Sequence, residues 1–154
     1  ISHTLATRMI KKSSLKKIIT VFKDNLTYPK INAKYVPLGQ DSKTEDGLNP
    51  HFVLIDEYHA HPSDEMLNVL ESGTGSRSQS LIFIITTSGF NRSSACYAEH
   101  ERAERILVGE SFDDSYFPMI FTLDKWDDWE KPEVWIKSNP NLGVSVNKAF
   151  LEKY

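Results

Sequence analysis

The sequence predicts an α/β fold with a mostly parallel sheet and flanking helices. Two apolar runs, residues 52–55 and 81–85, lack polar alternation, which is typical of parallel strands covered on both faces. One amphipathic helical segment lies between them. Because a strand–helix–strand crossover makes its two strands parallel, we expect both carboxyl ends at the same edge of the sheet.

The elements before the first apolar run are shorter. Apolar residues spaced among lysines predict the end of an amphipathic helix that stops at Ser13. Extended runs at residues 18–22 and 35–38, with a turn at Asp24, predict a hairpin or two short strands. Residues 39–50 are rich in Gly, Asp, Asn and Ser, which predicts a polar loop.

Three further elements are predicted after the first apolar strand. Ser63 is expected to cap the crossover helix, and Gly73 to follow its last turn. A second helix is expected over residues 94–108, with Gly109 behind it. A third strand is expected near residues 116–123, where a proline favours an edge position.

Composition limits the function classes. The 154 residues are 40% hydrophobic and 25% charged, enough for one sizeable core, and no apolar run approaches the roughly 18 residues of a membrane helix. A single cysteine excludes an internal disulfide and no signal-peptide pattern is present, so we expect a reducing, cytosol-like compartment. The chain begins at Ile1 inside a helical pattern, and we expect a piece of a longer protein.

Charge is distributed unevenly along the chain. Residues 1–34 carry eight Lys or Arg and one Asp, a net +7, whereas the other 120 residues carry ten against twenty, a net −10. A basic surface for a polyanion fits this asymmetry, and so does a solvated lysine-rich face. The densest basic cluster consists of Lys11, Lys12, Lys16 and Lys17.

The first apolar strand runs directly into Asp56 and Glu57, the order of a Walker B strand. A rigid strand that ends there holds Asp56 where its carboxylate can bind Mg²⁺ beside the phosphates of a nucleotide. Glu57 points in another direction and can orient or deprotonate the attacking water. The alternative is an ordinary strand that ends at a solvated acidic turn.

The second apolar strand ends at Thr86, Thr87 and Ser88, which the parallel arrangement brings to the same edge. Their hydroxyls can bond a γ-phosphate or a water and change partners after hydrolysis. A helix cap followed by Gly89 fits the same residues. The sequence contains no Gly-x-x-x-x-Gly-Lys-Ser/Thr loop, so the main phosphate grip of a P-loop ATPase is absent from it.

These motifs together resemble the ATPase part of the large terminase subunits of tailed phages, the motors that package DNA. The resemblance rests on five segments: Asp46 to Pro50, Phe52 to Ala60, Gly73 to Arg77, Ile84 to Gly89, and Trp135 to Gly143. It implies a partial ASCE P-loop NTPase core of the RecA-like kind. Residues 1–123 would form its C-terminal part, and residues 124–154 would connect to a nuclease domain.

The resemblance also implies roles and partners. ATP and Mg²⁺ would be used, with Glu57 catalytic, Asp56 holding the metal through the nucleotide, and Thr86, Thr87 and Ser88 coupling hydrolysis to movement. Partners would be double-stranded DNA, a portal protein, a small terminase subunit and further copies in a ring, in the cytoplasm of an infected bacterium and transiently on the procapsid, with no membrane.

Two assignments are less specific. Arg77 is a candidate for a phosphate contact or for packing, and the basic cluster of Lys11, Lys12, Lys16 and Lys17 is a candidate for DNA contact. Because the P-loop is expected before Ile1 and the nuclease after Tyr154, neither activity is expected of this piece alone.

Three other interpretations stay open. Asp56 to His59 also reads as the box of a DExH helicase-like nucleic-acid translocase, with a hydroxyl-rich motif about thirty residues later. A metal-dependent hydrolase would use Asp56, His59 and His61 as ligands. An α/β interaction module without catalysis would fit the missing P-loop.

Overall fold

The computed structural model describes residues 2–39 and 47–153. Their packing divides them into two compact units, with the division between Thr87 and Ser88. The predicted boundary at residues 123/124 stays a prediction. Residues 40–46 of the predicted loop, with Asp46 of the terminase-like motif, lie outside the described residues. No helix in the described part is long and apolar enough to cross a membrane.

The first unit, in its described part, contains helices and strands in mixed order. They are α1 (Ser2–Lys11), β1 (Thr20–Val21), β2 (Leu26–Tyr28), β3 (Ala33–Tyr35), β4 (Phe52–Asp56), α2 (Glu65–Gly73) and β5 (Leu81–Ile85). Short 3-10 turns lie at Ser14–Lys17, Pro29–Ile31, Tyr58–Ala60 and Thr74–Ser76. The predicted helix that stops near Ser13 is confirmed as α1.

Strands β1, β2 and β3 form an antiparallel sheet in that order. The predicted turn at Asp24 is confirmed, since Phe22 N–H donates to the carbonyl of Asn25 at 2.9 Å. The strand expected at residues 35–38 is wrong in position, because the chain reverses earlier. It does so at Pro29–Ile31 and at Asn32, whose φ of 53° is left-handed, and the result is a three-stranded meander.

Strands β4 and β5 form the predicted parallel pair. Their register runs from Phe52 opposite Leu81 to Asp56 opposite Ile85. The positions of both strands and their parallel pairing are confirmed. Because the ladder continues to the last residue of each strand, the residues that follow leave the sheet at the same edge.

The prediction that both faces of this pair are covered is wrong for the described part of the chain. Val53 and Ile55 of β4 are buried, and their partners in β5 are half-buried on the same face. On the other face, Phe52 and Phe83 are 48% and 49% exposed. An apolar run shows that a strand has side chains suited to burial on both faces. Whether both faces are covered depends on the elements that pack against them.

Helix α2 differs from the prediction at both ends. The Ser63 hydroxyl accepts a hydrogen bond from Glu65 N–H at 3.4 Å. The N-cap position, which the sequence predicted for Ser63, is occupied by Asp64. Gly73 is the last residue of the helix, with φ −65°, rather than a left-handed residue behind it. A Cβ on Gly73 would lie 2.6 Å from the carbonyl oxygen of Leu48, so the close approach of the loop requires a glycine.

The second unit contains α3 (Ala95–Leu107), α4 (Trp135–Ser138) and α5 (Lys148–Leu151). Helix α3 confirms the predicted one: the Ser94 hydroxyl accepts from Tyr97 N–H at 3.2 Å, and Gly109 behind the helix has φ 78°. The strand expected near residues 116–123 is wrong, because no strand of the described structure pairs with this segment and its proline lacks a donor.

Polar contacts join α3 to the segment that follows it. The guanidinium of Arg102 donates to Asp113 Oδ2 at 2.9 Å and lies 4.3 Å from the centre of the Tyr116 ring. Tyr116 donates its phenol hydrogen to Glu99 at 3.2 Å. Burial, together with the charge of Glu99, raises the pKa of Tyr116 to about 12.

The tryptophan-rich segment after residue 123 is held by its own polar contacts. Trp135 Nε1 donates to the carbonyl of Trp129 at 2.7 Å. Lys137 Nζ donates to Asp124 at 2.6 Å and to Asp127 at 2.8 Å. The hydrogen bond from Lys137 lowers the pKa of Asp127.

Candidate functional site

The candidate site lies where β4 and β5 end. Asp56 is the last residue of β4 and stands opposite Ile85, the last residue of β5. Thr86 and Thr87 follow directly, and both are exposed, as are Asp56 and Glu57. The parallel register therefore brings two carboxylates and two hydroxyls to one accessible edge of the sheet, as the sequence predicted.

Glu57 has a backbone conformation that few residues other than glycine adopt. Its φ of 55° and ψ of 50° are left-handed, which costs an L-residue about 1–2 kcal/mol. It begins the Tyr58–Ala60 turn, in which the buried Tyr58 is only 2% exposed and Ala60 N–H donates to the carbonyl of Glu57 at 2.8 Å. The Glu57 side chain is 59% exposed. Strain of this kind clusters at functional sites.

His59 joins the two strand ends. Its backbone N–H donates to Thr86 Oγ1 at 3.0 Å, and its ring Nδ1 lies 3.1 Å from the same oxygen. The same Nδ1 lies 3.3 Å from Glu57 Oε2 and 3.4 Å from Thr87 Oγ1. The sequence patterns interpret His59 as a metal ligand, as part of a helicase-like box, or as a histidine over the nucleotide crevice or on an exposed loop. Its contacts with both strand ends are a finding of the structure.

Asp56 offers the ligand chemistry that Mg²⁺ selects. Mg²⁺ prefers hard oxygen ligands and is usually bound through one or two carboxylates together with phosphate oxygens and waters. An exposed carboxylate at the end of a rigid strand, at the same edge as two hydroxyls, fits that requirement. The residues present are therefore suited to a nucleotide-bound magnesium ion.

The metal-dependent hydrolase interpretation needs Asp56, His59 and His61 to converge. In the described part of the chain, no group of three His, Cys, Asp or Glu side chains lies close enough to hold a metal ion. His61 lies against Tyr58 instead, with ring centroids 5.5 Å apart. The three proposed ligands are present in sequence but do not form the site that this alternative requires.

Arg77 fastens the loop that leads into β4. Its Nε donates to Asn49 Oδ1 at 2.7 Å, and its Nη2 donates to the carbonyl of Asn49 at 2.9 Å. These bonds hold Arg77 against the loop, and the phosphate or packing role that the sequence suggested for Arg77 stays a prediction. Ser88 belongs to the second unit, and the described residues give its side chain no hydrogen-bond partner.

The four lysines of the predicted DNA contact are all exposed. Lys11 is the last residue of α1, and Lys16 and Lys17 end the Ser14–Lys17 turn. Cations at the end of a helix also complement its dipole, so this placement is favourable with or without a ligand. The structure brings the basic cluster to one short exposed stretch, and its contact with DNA stays a prediction.

The family model described as "Terminase large subunit, ATPase domain" matches residues 4–105. The chain belongs to this family. The matched range contains β4, β5 and every residue of the candidate site, and the match confirms the predicted resemblance. It favours the terminase interpretation over the helicase-like one.

Individual relatives agree with the family match. This terminase ATPase-family chain is 42% identical over 106 residues to "Protein YmfN" of Escherichia coli (strain K12). The match covers 69% of this chain and 23% of that protein. The chain is 25% identical over 115 residues to "Terminase, large subunit" of Enterobacteria phage HK97, covering 73% of the chain and 22% of that protein. The terminase ATPase-family chain thus spans less than a quarter of either relative.

A solved structure confirms the fold of the terminase ATPase-family chain. The crystal structure of the HK97 bacteriophage large terminase matches it with a TM-score of 0.82 and 22% sequence identity. The match covers 98% of this chain and 32% of that chain. The α/β fold class is therefore that of the terminase ATPase domain.

The left-handed backbone at Glu57 predicts an unusual order of stabilities. Glu57→Gly should be more stable than Glu57→Ala by about 1 kcal/mol, because neither has the carboxylate and only alanine retains the cost of a left-handed Cβ. Urea unfolding followed by far-ultraviolet circular dichroism measures the difference. At the exposed helical position Glu71, the same pair should show the opposite order by about 1 kcal/mol. If the glycine and alanine variants show the same order of stability at both positions, the prediction is contradicted.

Proposed function

We propose that this chain is part of an ATP-driven motor that moves double-stranded DNA into viral procapsids. The observation that carries the proposal is the shared sheet edge, where Asp56 ends one strand and Glu57 follows it, and Thr86 and Thr87 follow the other strand. His59 contacts Glu57 and both threonines. Carboxylates and hydroxyls at the carboxyl ends of adjacent parallel strands suit nucleotide hydrolysis.

In the proposed reaction, water attacks the γ-phosphorus of ATP, the bond to the ADP oxygen breaks, and inorganic phosphate and ADP leave. Glu57 orients the water and accepts its proton. Asp56 would hold Mg²⁺, which would supply positive charge beside the phosphates. Thr86, Thr87 and Ser88 respond to the γ-phosphate and couple its loss to movement.

The phosphate-gripping loop is assigned to another part of a longer protein. The sequence of this chain has no Gly-x-x-x-x-Gly-Lys-Ser/Thr motif, and the chain spans less than a quarter of the curated relatives. The proposal therefore includes no ATP hydrolysis by the isolated chain. It places residues 1–123 in the ATPase core and residues 124–154 in a connection toward a nuclease domain.

The family match supports the proposed partners. They are double-stranded DNA, a portal protein, a small terminase subunit and further copies of the same protein in a ring. The proposed place of action is the cytoplasm of an infected bacterium, with transient docking on the procapsid.

The motor assignment is tested in a longer protein that carries this chain. ATP hydrolysis and DNA translocation are measured for the wild type and for Glu57→Gln. Translocation that needs ATP and that is lost in the variant supports the proposal. Hydrolysis that the variant leaves unchanged would reject the assignment of the site.

The basic cluster makes a separate prediction about DNA. A motor that moves along DNA holds the phosphate backbone without reading bases, so its affinity depends on salt. Each lysine that neutralises a phosphate contributes about one unit to the slope of log affinity against log salt concentration. The test uses a longer protein that carries this chain and replaces four lysines by glutamine: Lys11, Lys12, Lys16 and Lys17. Binding of duplex DNA is then titrated at several salt concentrations.

The expected result is a flatter slope for any DNA sequence. The matched control removes four positive charges from the acidic remainder of the chain, by glutamine at Lys125, Lys131, Lys148 and Lys153. If the control flattens the slope equally, or the test variant leaves it unchanged, the cluster is a solvated face.

A further inference from the structure

A single nitrogen of His59 faces three side-chain oxygen atoms from both strand ends. Nδ1 lies 3.1 Å from Thr86 Oγ1, 3.3 Å from Glu57 Oε2 and 3.4 Å from Thr87 Oγ1. We propose that His59 is a positioning residue whose Nδ1–H holds the Glu57 carboxylate in register with the two threonine hydroxyls. This inference rests on the proposed function, in which Glu57 activates water and the threonines couple hydrolysis to movement.

Two neighbours favour a proton on Nδ1. An ionised carboxylate only accepts hydrogen bonds, so an Nδ1–H suits the Glu57 oxygen 3.3 Å away. The Thr86 hydroxyl donates its own hydrogen to the carbonyl of Thr87 at 2.9 Å. Toward His59 it therefore accepts, from the backbone N–H at 3.0 Å and from the ring. A neutral His59 ring then carries its proton on Nδ1 and leaves Nε2 as an acceptor.

The three oxygen atoms can share this one donor. The distance to Thr86 lies at the long end of the range for N–H···O hydrogen bonds, and the distances to Glu57 and Thr87 lie just beyond it, as expected when one hydrogen is shared. When the Glu57 carboxylate turns toward a water, the Nδ1–H becomes available to Thr86 and Thr87. His59 thus conveys the position of the water-activating group to the end of β5.

The backbone explains why the histidine is held at this place. The left-handed turn at Glu57 starts the 3-10 turn, and Tyr58 anchors that turn in the core. The backbone N–H of His59 is fixed on Thr86 Oγ1 at 3.0 Å, independently of the ring. Substitution of the ring should therefore remove the Nδ1–H while leaving the backbone bond between the two strand ends in place.

The first test reads the tautomer in this chain by long-range ¹H–¹⁵N NMR of the histidine rings, at about pH 8 where an ordinary imidazole is neutral. His59 is expected to show the Nδ1–H form. His51 is the internal control, because its side chain is exposed at the opposite end of β4. A His59 ring with its proton on Nε2 would overturn the proposal.

The second test compares three variants in a longer protein that carries this chain. Asparagine places its amide N–H where Nδ1 stands, glutamine places it near Nε2, and alanine supplies no donor. His59→Ala and His59→Gln should lower kcat for ATP by about 10-fold or more with KM unchanged, as for other residues that orient a reacting group. His59→Asn should restore most of the kcat that His59→Ala loses. The control His51→Ala should leave kcat at the wild-type value.

The outcomes separate the two proposals. If Glu57→Gln leaves hydrolysis unchanged, the proposed function fails whatever His59 does. If Glu57→Gln abolishes hydrolysis while His59→Ala retains the wild-type kcat, only the positioning role of His59 fails. Equal kcat values for His59→Asn and His59→Gln would also overturn it, because a role in mere packing does not depend on where the donor lies.

Discussion

Glu57→Gln, in a longer protein that carries this chain, should lower kcat for ATP hydrolysis about 10²–10⁴-fold, the usual contribution of a general base. Glutamine keeps the size of the side chain and can still accept a hydrogen bond from His59 through its carbonyl oxygen. It cannot take a proton from water. Nucleotide binding should stay near the wild-type value, because the change removes an interaction made only in the transition state.

Steady-state ATPase assays and a separate nucleotide-binding measurement check this expectation. Glu71→Gln is the matched control, since it removes an exposed carboxylate from α2 without touching the sheet edge. Loss of nucleotide binding in Glu57→Gln would indicate a structural role for Glu57. A wild-type kcat would exclude Glu57 as the base.

The strand–helix–strand unit was predictable because its signals are local. Each strand is a continuous apolar run with a polar end, and the helix between them fixes their parallel direction. Coverage of the strand faces was not predictable, because it depends on neighbours that the run itself does not specify. The strand expected near residues 116–123 failed for the same reason, since a strand needs a partner as well as a pattern.

The candidate site divides in the same way. Its edge followed from sequence, since the parallel register alone brings Asp56 and Thr86 to one end of the sheet. The bridge by His59 did not, because it depends on the left-handed φ of Glu57. Asparagine tolerates a positive φ, so the residue type at Asn32 indicates that such a backbone is possible there. Glutamate rarely adopts a positive φ, so the residue type at position 57 does not indicate one. The only sequence hint was the position of His59 three residues after Asp56.

Gly73→Ala should destabilise the chain by about 1–3 kcal/mol, the usual effect of a group forced into a filled space. The new Cβ would lie 2.6 Å from the Leu48 carbonyl oxygen and 3.2 Å from Pro50 Cδ. Neither atom belongs to a flexible side chain. The loop cannot move away freely, because Arg77 fastens it through Asn49 at 2.7 and 2.9 Å. Urea unfolding followed by circular dichroism measures the loss.

Gly75→Ala is the matched control two residues later, since a Cβ there would meet nothing within 4 Å. It should be neutral or stabilise the chain by up to about 1 kcal/mol, because alanine restricts the unfolded chain more than glycine does.

Combining Gly73→Ala with Arg77→Ala should lower the stability by less than the sum of the two separate losses. Once the loop is released from Arg77, it can move away from the new methyl group, so the two sites share one strain. Additive losses would contradict this account, and equal stability of the two alanine variants would show that the contact with Leu48 is not tight.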